Sequence, residues 1–223
     1  MRIIRLAIVA VVVLLCDTLP GLGQSNQNSN PRVVPPGASP YGNTYAQWSA
    51  LWWRWFISLP LTNNPVAGAD CSAGQVGAVW FLVGVPGSTT IDCAIPAGKG
   101  LFFPIINTEC SDLESPPFFG ATEADRRACA KTIVDGAAGL AVTIDGEVLR
   151  NLESYRASSP NFTFVAPDNN VLGVSAGTGQ SVGDGFYLML APLSAGRHTV
   201  NFTGSFPAFS FTIETTYILT VGR

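Results

Sequence analysis

A stripe of large apolar side chains near residue 50 has the spacing of a helix. Its members recur every three or four residues and are Tyr45, Trp48, Trp52, Trp55 and Leu59. Such spacing is typical of one helix face, and Asn43 and Pro60 suit the two ends of the helix. Trp53 and Phe56 lie off the stripe, so we expect this helix to be buried on more than one side.

After residue 78 the pattern changes to short apolar runs separated by turn residues. In residues 209–214 apolar and polar side chains alternate, which is typical of a strand with one buried and one solvated face. Asp145-Gly146 between two runs is a hairpin signal. The predicted strands are 79–85, 89–95, 101–106, 140–144, 147–149, 161–165, 185–191, 198–203 and 209–221.

These patterns together predict a mainly β fold. Many short strands with turns between them favour an antiparallel β-sandwich of jelly-roll or immunoglobulin-like type, because no helices alternate with the strands as a parallel sheet requires. Thr122 to Asp125 resembles a capping box and predicts a short second helix that ends near Val134 and holds Cys129. The tryptophan-rich helix should cover one sheet face or edge.

The first residues differ from the rest of the chain. Arg2 and Arg5 precede an apolar run that ends at Cys16, which is typical of a secretory signal peptide. The run is shorter than the roughly 20 residues that span a bilayer. We expect a signal peptide at 1–23, a flexible polar leader at 24–40 and one sandwich domain at 41–223. The protein should therefore be secreted or periplasmic, with no transmembrane segment after cleavage.

Charge and cysteines narrow the function. The net charge is −3 and charged residues make up 12% of the chain, so without a basic patch we expect no nucleic-acid partner.

Four cysteines follow the signal peptide, and an even number in an exported protein predicts two disulfides. Three connectivities are open; we favour Cys71–Cys93 and Cys110–Cys129 because each pair brackets one local unit. The cysteine spacing does not suit zinc, and we expect no metal site of that kind.

Three sequence motifs resemble those of a known family. They are Trp48-x3-Trp52-Trp53-x-Trp55, Gly74-Gln75-x-Gly77-x-Val79-Trp80-Phe81-Leu82 and Pro96-Ala-Gly98-Lys99-x-Leu101-Phe102-Phe103-Pro104. In these the chain resembles a family of uncharacterised secreted bacterial proteins. The resemblance implies export and a shared fold, and it implies no activity or substrate.

Acidic residues are the main catalytic candidates because the chain has few of them. Glu109, Asp112 and Glu114 follow an apolar run, and Asp184 lies between two glycines. Two such carboxyl groups would serve as general acid and base in a hydrolase, with Glu109 and Asp184 as the catalytic candidates and Asp112 or Glu114 as alternative partners of Glu109. Asp112 and Glu114 would then contact a ligand. The same oxygens would suit calcium, and the alternative is that all four are structural loop acids.

His198 is the third catalytic candidate, because it is the single histidine of the chain and any Ser-His-Asp triad needs it. Its structural alternative is a hydrogen bond within a strand.

Tyr155 and Arg156 would bind a carboxylate or stack on a sugar, unless Arg156 pairs with a nearby acid. Trp53, beside Arg54, is the tryptophan that we expect to be exposed to a ligand; the other tryptophans should form core.

The leading hypothesis is therefore a secreted, disulfide-stabilised binding protein, with a glycan or another cell-envelope component as its partner. Export, the sandwich pattern and the lack of a standard catalytic signature favour it. The alternatives are a secreted hydrolase that uses a carboxylate pair and a structural subunit of the cell envelope.

Overall fold

A computed structural model of the chain describes residues 32–222, which form two β-sheets and two α-helices. The predicted signal peptide and the first part of the predicted leader lie outside the described residues. Residues 32–34, in the rest of that leader, lie against the domain: Val33 is buried and bridges to Leu190, and the Val34 amide donates to the Met189 carbonyl at 2.8 Å. Between residues 32 and 222 there is no helix of sufficient length and apolar character to cross a membrane.

The helices are α1 at Tyr45–Ser58 and α2 at Glu123–Val134. The strands are β1 Val79–Phe81, β2 Gly87–Ile95, β3 Gly100–Ser111, β4 Ala138–Ile144, β5 Glu147–Val148, β6 Arg156–Ser158, β7 Phe162–Ala166, β8 Gly177–Leu190, β9 Gly196–Phe206 and β10 Phe211–Val221. The mainly β prediction is thus confirmed.

The first sheet has the order β1-β3-β8-β6, and β7 pairs with an earlier part of β8. The second sheet has the order β10-β9-β4-β5, and β2 runs beside β10. One detail of the prediction is wrong: β1 and β3 pair in parallel, so the first sheet is not purely antiparallel. The cause is the connection between them. Residues 82–99 leave the first sheet and pack against β10 of the second sheet. The chain then returns to the first sheet in its original direction.

The two faces of β3 pack against different layers. Phe103 contacts Phe202 of β9 with ring centroids 4.9 Å apart, and this contact joins the two sheets. Phe102 points to the opposite face, where it stacks on Tyr187 and contacts Trp48 of α1. Because side chains alternate along a strand, α1 therefore covers the outer face of the first sheet.

Both helices begin at capping boxes. Thr44 caps α1, one residue after the predicted Asn43, and accepts from the Gln47 amide while the Gln47 side chain accepts from the Thr44 amide. Thr122 and Asp125 form the same arrangement at α2, as predicted. Each box satisfies amide groups that a helix start leaves without partners.

The two disulfides have the predicted pairing. Cys71–Cys93 joins the loop before β1 to β2, and Cys110–Cys129 joins β3 to α2. The second bond fixes α2 on the first sheet at the end of β3, where the predicted acidic residues begin.

Candidate functional site

Glu109 and Glu114 form a buried carboxyl pair. Glu109 lies on β3, is 3% exposed and accepts a hydrogen bond from the Ser181 hydroxyl. Glu114, in the loop after β3, hydrogen bonds to Glu109 and accepts from the Ser111 hydroxyl at 2.8 Å. Burial, followed by the charge of Glu114, raises the pKa of Glu109 well above its usual value, and burial raises the pKa of Glu114. Both carboxyl groups therefore ionise at a higher pH than a solvent-exposed glutamate.

Asp112 holds the same loop to β8. Its Oδ1 accepts from the Gln180 amide at 2.8 Å. Gly179, next to it on β8, has no room for a side chain, because a Cβ there would lie 2.9 Å from that oxygen. Asp112 and Glu114 thus close a packed loop over the sheet. No three His, Cys, Asp or Glu side chains of residues 32–222 are placed so that they could hold a metal ion.

Asp184 lies on the other face of the sheet from Glu109. Glu109 pairs across the ladder with Gly183, and a Cβ on Gly183 would lie 2.4 Å from the Trp53 ring nitrogen, so this face is the one covered by α1. Asp184 is the next residue and must point the opposite way. The structure therefore does not bring the predicted Glu109 and Asp184 together.

Asp184 instead pairs with Arg156. The guanidinium donates to Asp184 at 2.9 and 3.2 Å and to Asp135 at 2.7 Å. These bonds raise the pKa of Arg156, with Asp184 as the largest cause. A shallow cleft of about 360 Å³ lies here, and Arg127, Lys131 and Arg156 line it. Each of these cations has a carboxylate partner at 2.6 to 2.9 Å, so the cleft does not present unpaired positive charge.

His198 is buried on the second sheet, far from these acids in the topology. Its Nδ1 lies 2.8 Å from Asp145 and its Nε2 lies 2.9 Å from the Ser194 carbonyl oxygen. The Ser194 hydroxyl is farther away, at 3.3 Å from Nε2. Although the order serine, histidine, aspartate resembles a triad, Nε2 donates to a carbonyl and does not serve as a base for the hydroxyl. His198 thus fastens the β4–β5 hairpin to the loop before β9.

Two of the predicted ligand-binding aromatics lie in the core. Trp53 is 7% exposed, and its ring nitrogen donates to the Tyr187 hydroxyl at 3.2 Å. Tyr155 is buried against Tyr45, with ring centroids 5.9 Å apart. The structure differs here from the expectation for Trp53 because its ring packs on β8, where Gly183 has no side chain and leaves room for it.

A groove that the sequence did not predict lies along the other side of α1. It has a volume of about 550 Å³ and is bounded by α1, the loop at 74–78 with β1, and β7. Its mainly apolar lining consists of Trp48, Leu51, Arg54, Trp55, Ser58, Gly74, Val76, Gly77, Ala78, Val79, Phe81, Thr163, Phe164 and Val165. A volume of this size suits a small organic ligand, since such sites measure roughly 300 to 1,000 Å³.

Gln75 holds the wall opposite α1 in place. Its side-chain amide donates to the Phe81 carbonyl at 2.8 Å and to the Cys71 carbonyl at 3.1 Å, and its oxygen accepts from the Phe81 amide at 2.9 Å. These bonds cap the edge of β1 that does not pair with β3. The Trp55 ring nitrogen donates to the Ala73 carbonyl at 3.0 Å and ties the same loop to α1. The groove is therefore formed in advance of any ligand.

The tryptophans of the groove contribute apolar surface. The Trp48 ring nitrogen donates to the Pro40 carbonyl at 2.9 Å, and that of Trp55 is used as described above. Both side chains are mostly buried, at 9% and 8% exposed, and Phe81 packs between them. Because so little of each ring is exposed, the two tryptophans offer the groove only a small part of their surface.

Two cations lie at the groove. Arg54 on α1 donates through Nε to the Thr163 carbonyl at 3.0 Å and lies 6.0 Å from the centre of the Phe162 ring. Lys99 donates to the carbonyl of Gly77 on the opposite wall. Within the described part of the chain, neither cation pairs with a carboxylate.

No family model, no curated protein and no solved structure matches this chain. The groove is the feature of the described structure that bears on function. One sequence signal does point to it: alternation in the predicted strand 161–165 places Val165 on the solvated face, and Val165 is 60% exposed at the rim. Val165 extends the apolar lining of the groove to its rim, and this continuity distinguishes it from a singly exposed apolar residue such as Val148.

Proposed function

We propose that this protein is an exported binding protein that holds a small, mainly apolar molecule in the groove between α1, β1 and β7. The observation that carries the proposal is a preformed apolar groove of ligand size, about 550 Å³. Two disulfides and the lack of a membrane-spanning helix between residues 32 and 222 are consistent with export. The two stacked sheets then serve as a rigid sandwich support, of jelly-roll or immunoglobulin-like type.

An apolar ligand suits the groove better than the glycan that we expected from the sequence. Sugars stack on the open faces of aromatic rings, and Trp48 and Trp55 are only 9% and 8% exposed, which leaves little ring face for stacking. The polar side chains of the lining are Arg54, Ser58 and Thr163, which is a small number for the many hydroxyl groups of a sugar. An envelope partner with an apolar part remains within the proposal.

The carboxylate-pair hydrolase draws no support from the geometry. Glu109 is almost fully buried beside Glu114, and Asp184 is on the opposite face with Arg156. A hydrolase that uses a carboxylate pair needs its two carboxyl groups to flank the same substrate bond.

The test is a titration with N-phenyl-1-naphthylamine, a neutral apolar dye that fluoresces when it leaves water. We expect saturable binding to the purified protein. Val165→Asp places a charge at the groove rim and should weaken the dye's Kd about tenfold or more, because binding would then bury a carboxylate against the dye.

The matched control is Val148→Asp. Val148 is a strand residue on β5, 67% exposed and not part of the groove. Its Kd should stay within twofold of the parent protein. Equal affinities of the two variants, or no saturable binding by the parent protein, would show that the groove is not the site.

A further inference from the structure

We infer that the ligand is an anionic amphiphile, with its apolar part in the groove and its carboxylate or phosphate oxygens on Arg54. This inference rests on the proposed function and names the class of ligand. It is carried by the charges at the groove and by a second cleft that meets the groove at Arg54.

The lining of the groove has one sign of charge. Among its residues Arg54 is charged and none is acidic. Arg32, Arg127 and Arg156 each hold a carboxylate oxygen at 2.7 Å, whereas Arg54, Arg126 and Arg197 form no salt bridge within the described residues, and of these three only Arg54 lines the groove. Arg54 has no such partner, although the net charge of the chain is −3. An unpaired arginine beside an apolar surface favours an anion from solution.

The guanidinium of Arg54 is held ready for such an anion. The hydrogen bond from Nε to the Thr163 carbonyl and the Phe162 ring fix its position. Its two terminal nitrogens are left for a ligand, because no hydrogen bond within the described residues uses them. Two parallel N–H groups match the two oxygens of a carboxylate or of a phosphate, and fixing the side chain beforehand lowers the entropy lost on binding.

A second, smaller cleft with both polar and apolar lining lies beside the groove at this point. It has a volume of about 160 Å³, and Asn43, Gln47, Ala50, Leu51, Arg54, Pro160 and Phe162 line it. Leu51 and Arg54 belong to both spaces. The polar side chains of the cleft, Asn43, Gln47 and Arg54, lie at one end of an apolar groove, an arrangement that suits the head group and the apolar part of an amphiphile. The amide side chains of Asn43 and Gln47 add donors near the head group.

Lys99 adds positive potential from the opposite wall. Its ammonium group is held by the Gly77 carbonyl, so it acts at a distance and does not clamp the head group. Arg54 is therefore the residue that decides between an anion and a neutral ligand, and Lys99 contributes to the rate and strength of attraction.

The experiment compares four ligands with the same chain in displacement of the bound dye: dodecanoate, dodecyl phosphate, dodecanol and dodecyltrimethylammonium. We expect one or both anions to bind about tenfold or more tightly than dodecanol, and the cation to bind more weakly, as for hydrogen bonds to charged groups. Arg54→Gln should remove the advantage of the anions and leave dodecanol unchanged. Arg54→Lys, which keeps the charge but not the fork, should restore part of it.

Arg197→Gln is the control, since Arg197 is an exposed arginine on β9 of the second sheet; it should change nothing. If dodecanol binds as tightly as both anions and Arg54→Gln alters none of them, apolar binding stands and the anion inference is wrong. If neither the dye nor any of the four ligands binds, the proposed function itself fails. The two failures are therefore distinguishable.

Discussion

Glu109 and Glu114 show how a single buried contact ties pH to stability. Their carboxyl groups lie together beneath the loop after β3, and burial raises the pKa of both. In the unfolded chain each would titrate near its ordinary value of about 4.3. Because the folded values are higher, the contribution of the pair to stability is complete below that pH. It is lost as the pH rises toward the folded pKa values, since the unfolded state then ionises first.

We therefore predict that Glu109→Gln makes stability less dependent on pH. Glutamine keeps hydrogen bonds to Ser181 and Glu114 and needs no proton. The Tm of the parent protein should fall from pH 5 to pH 8 relative to the variant, by a few degrees for each kcal/mol of linked stability. Thermal unfolding followed by circular dichroism at several pH values measures this.

The control for this prediction is Glu147→Gln, on the exposed hairpin strand β5. Its Tm should follow the parent profile across the pH range. A Glu109→Gln profile parallel to that of the parent protein would mean that the carboxyl pair does not titrate in this range.

At the scale of elements, sequence patterns predicted the parts that have one buried side. The helical stripe of α1, the capping box of α2 and the alternation in β10 all appear in the structure. β3 and β8 are longer than predicted, because residues 107–111 and 177–184 are polar or rich in glycine. Both strands are covered on their two faces over much of their length, so neither has the alternation that marks a half-buried strand.

The candidate site was missed for a related reason. The groove is built from α1, the loop at 74–78 and β7, which are distant in sequence and meet through packing of the first sheet. Trp48 and Trp55 were predicted as core, and they are 9% and 8% exposed. Their small exposed part lines the groove, and no periodic pattern separates a core residue that also lines a groove from one that does not.

Gln75 is the element-scale test of the groove, because one side chain links the loop to β1. We predict that Gln75→Ala lowers stability by roughly 1 to 3 kcal/mol, since the partly buried Phe81 amide and carbonyl lose their partners. Hydrogen exchange at the Phe81 amide should accelerate. Exchange of amides in the β9–β10 ladder should change only as much as the global free energy of unfolding changes. The affinity for the dye should also fall, because the loop at 74–78 forms one wall of the groove and loses its link to β1.

Asn63→Ala is a suitable comparison for Gln75→Ala, since Asn63 is an exposed amide residue in the short turn after α1. It should leave exchange at Phe81 and dye affinity unchanged. Unaltered exchange at Phe81 in the Gln75→Ala protein would show that this side chain does not hold the edge of β1.

Across the whole molecule, the two disulfides close chain segments of similar length but stabilise different regions. Their sequence separations are 22 and 19 residues, so loss of either should cost a similar amount, about 3 kcal/mol in the chain-entropy account. That corresponds to a Tm lower by roughly 6 to 12 °C for a domain of this size. Cys71–Cys93 anchors the loop that becomes the groove wall, whereas Cys110–Cys129 anchors α2.

We therefore predict that two double variants separate stability from binding. Cys71→Ser with Cys93→Ser and Cys110→Ser with Cys129→Ser should show a similar drop in Tm. At a temperature where both are folded, the first should bind the dye several-fold more weakly, because residues 74–78 lose their tether to β2; the second should bind like the parent protein. Equal affinities would place the ligand away from this wall, and weaker binding by the second variant alone would move the site toward α2.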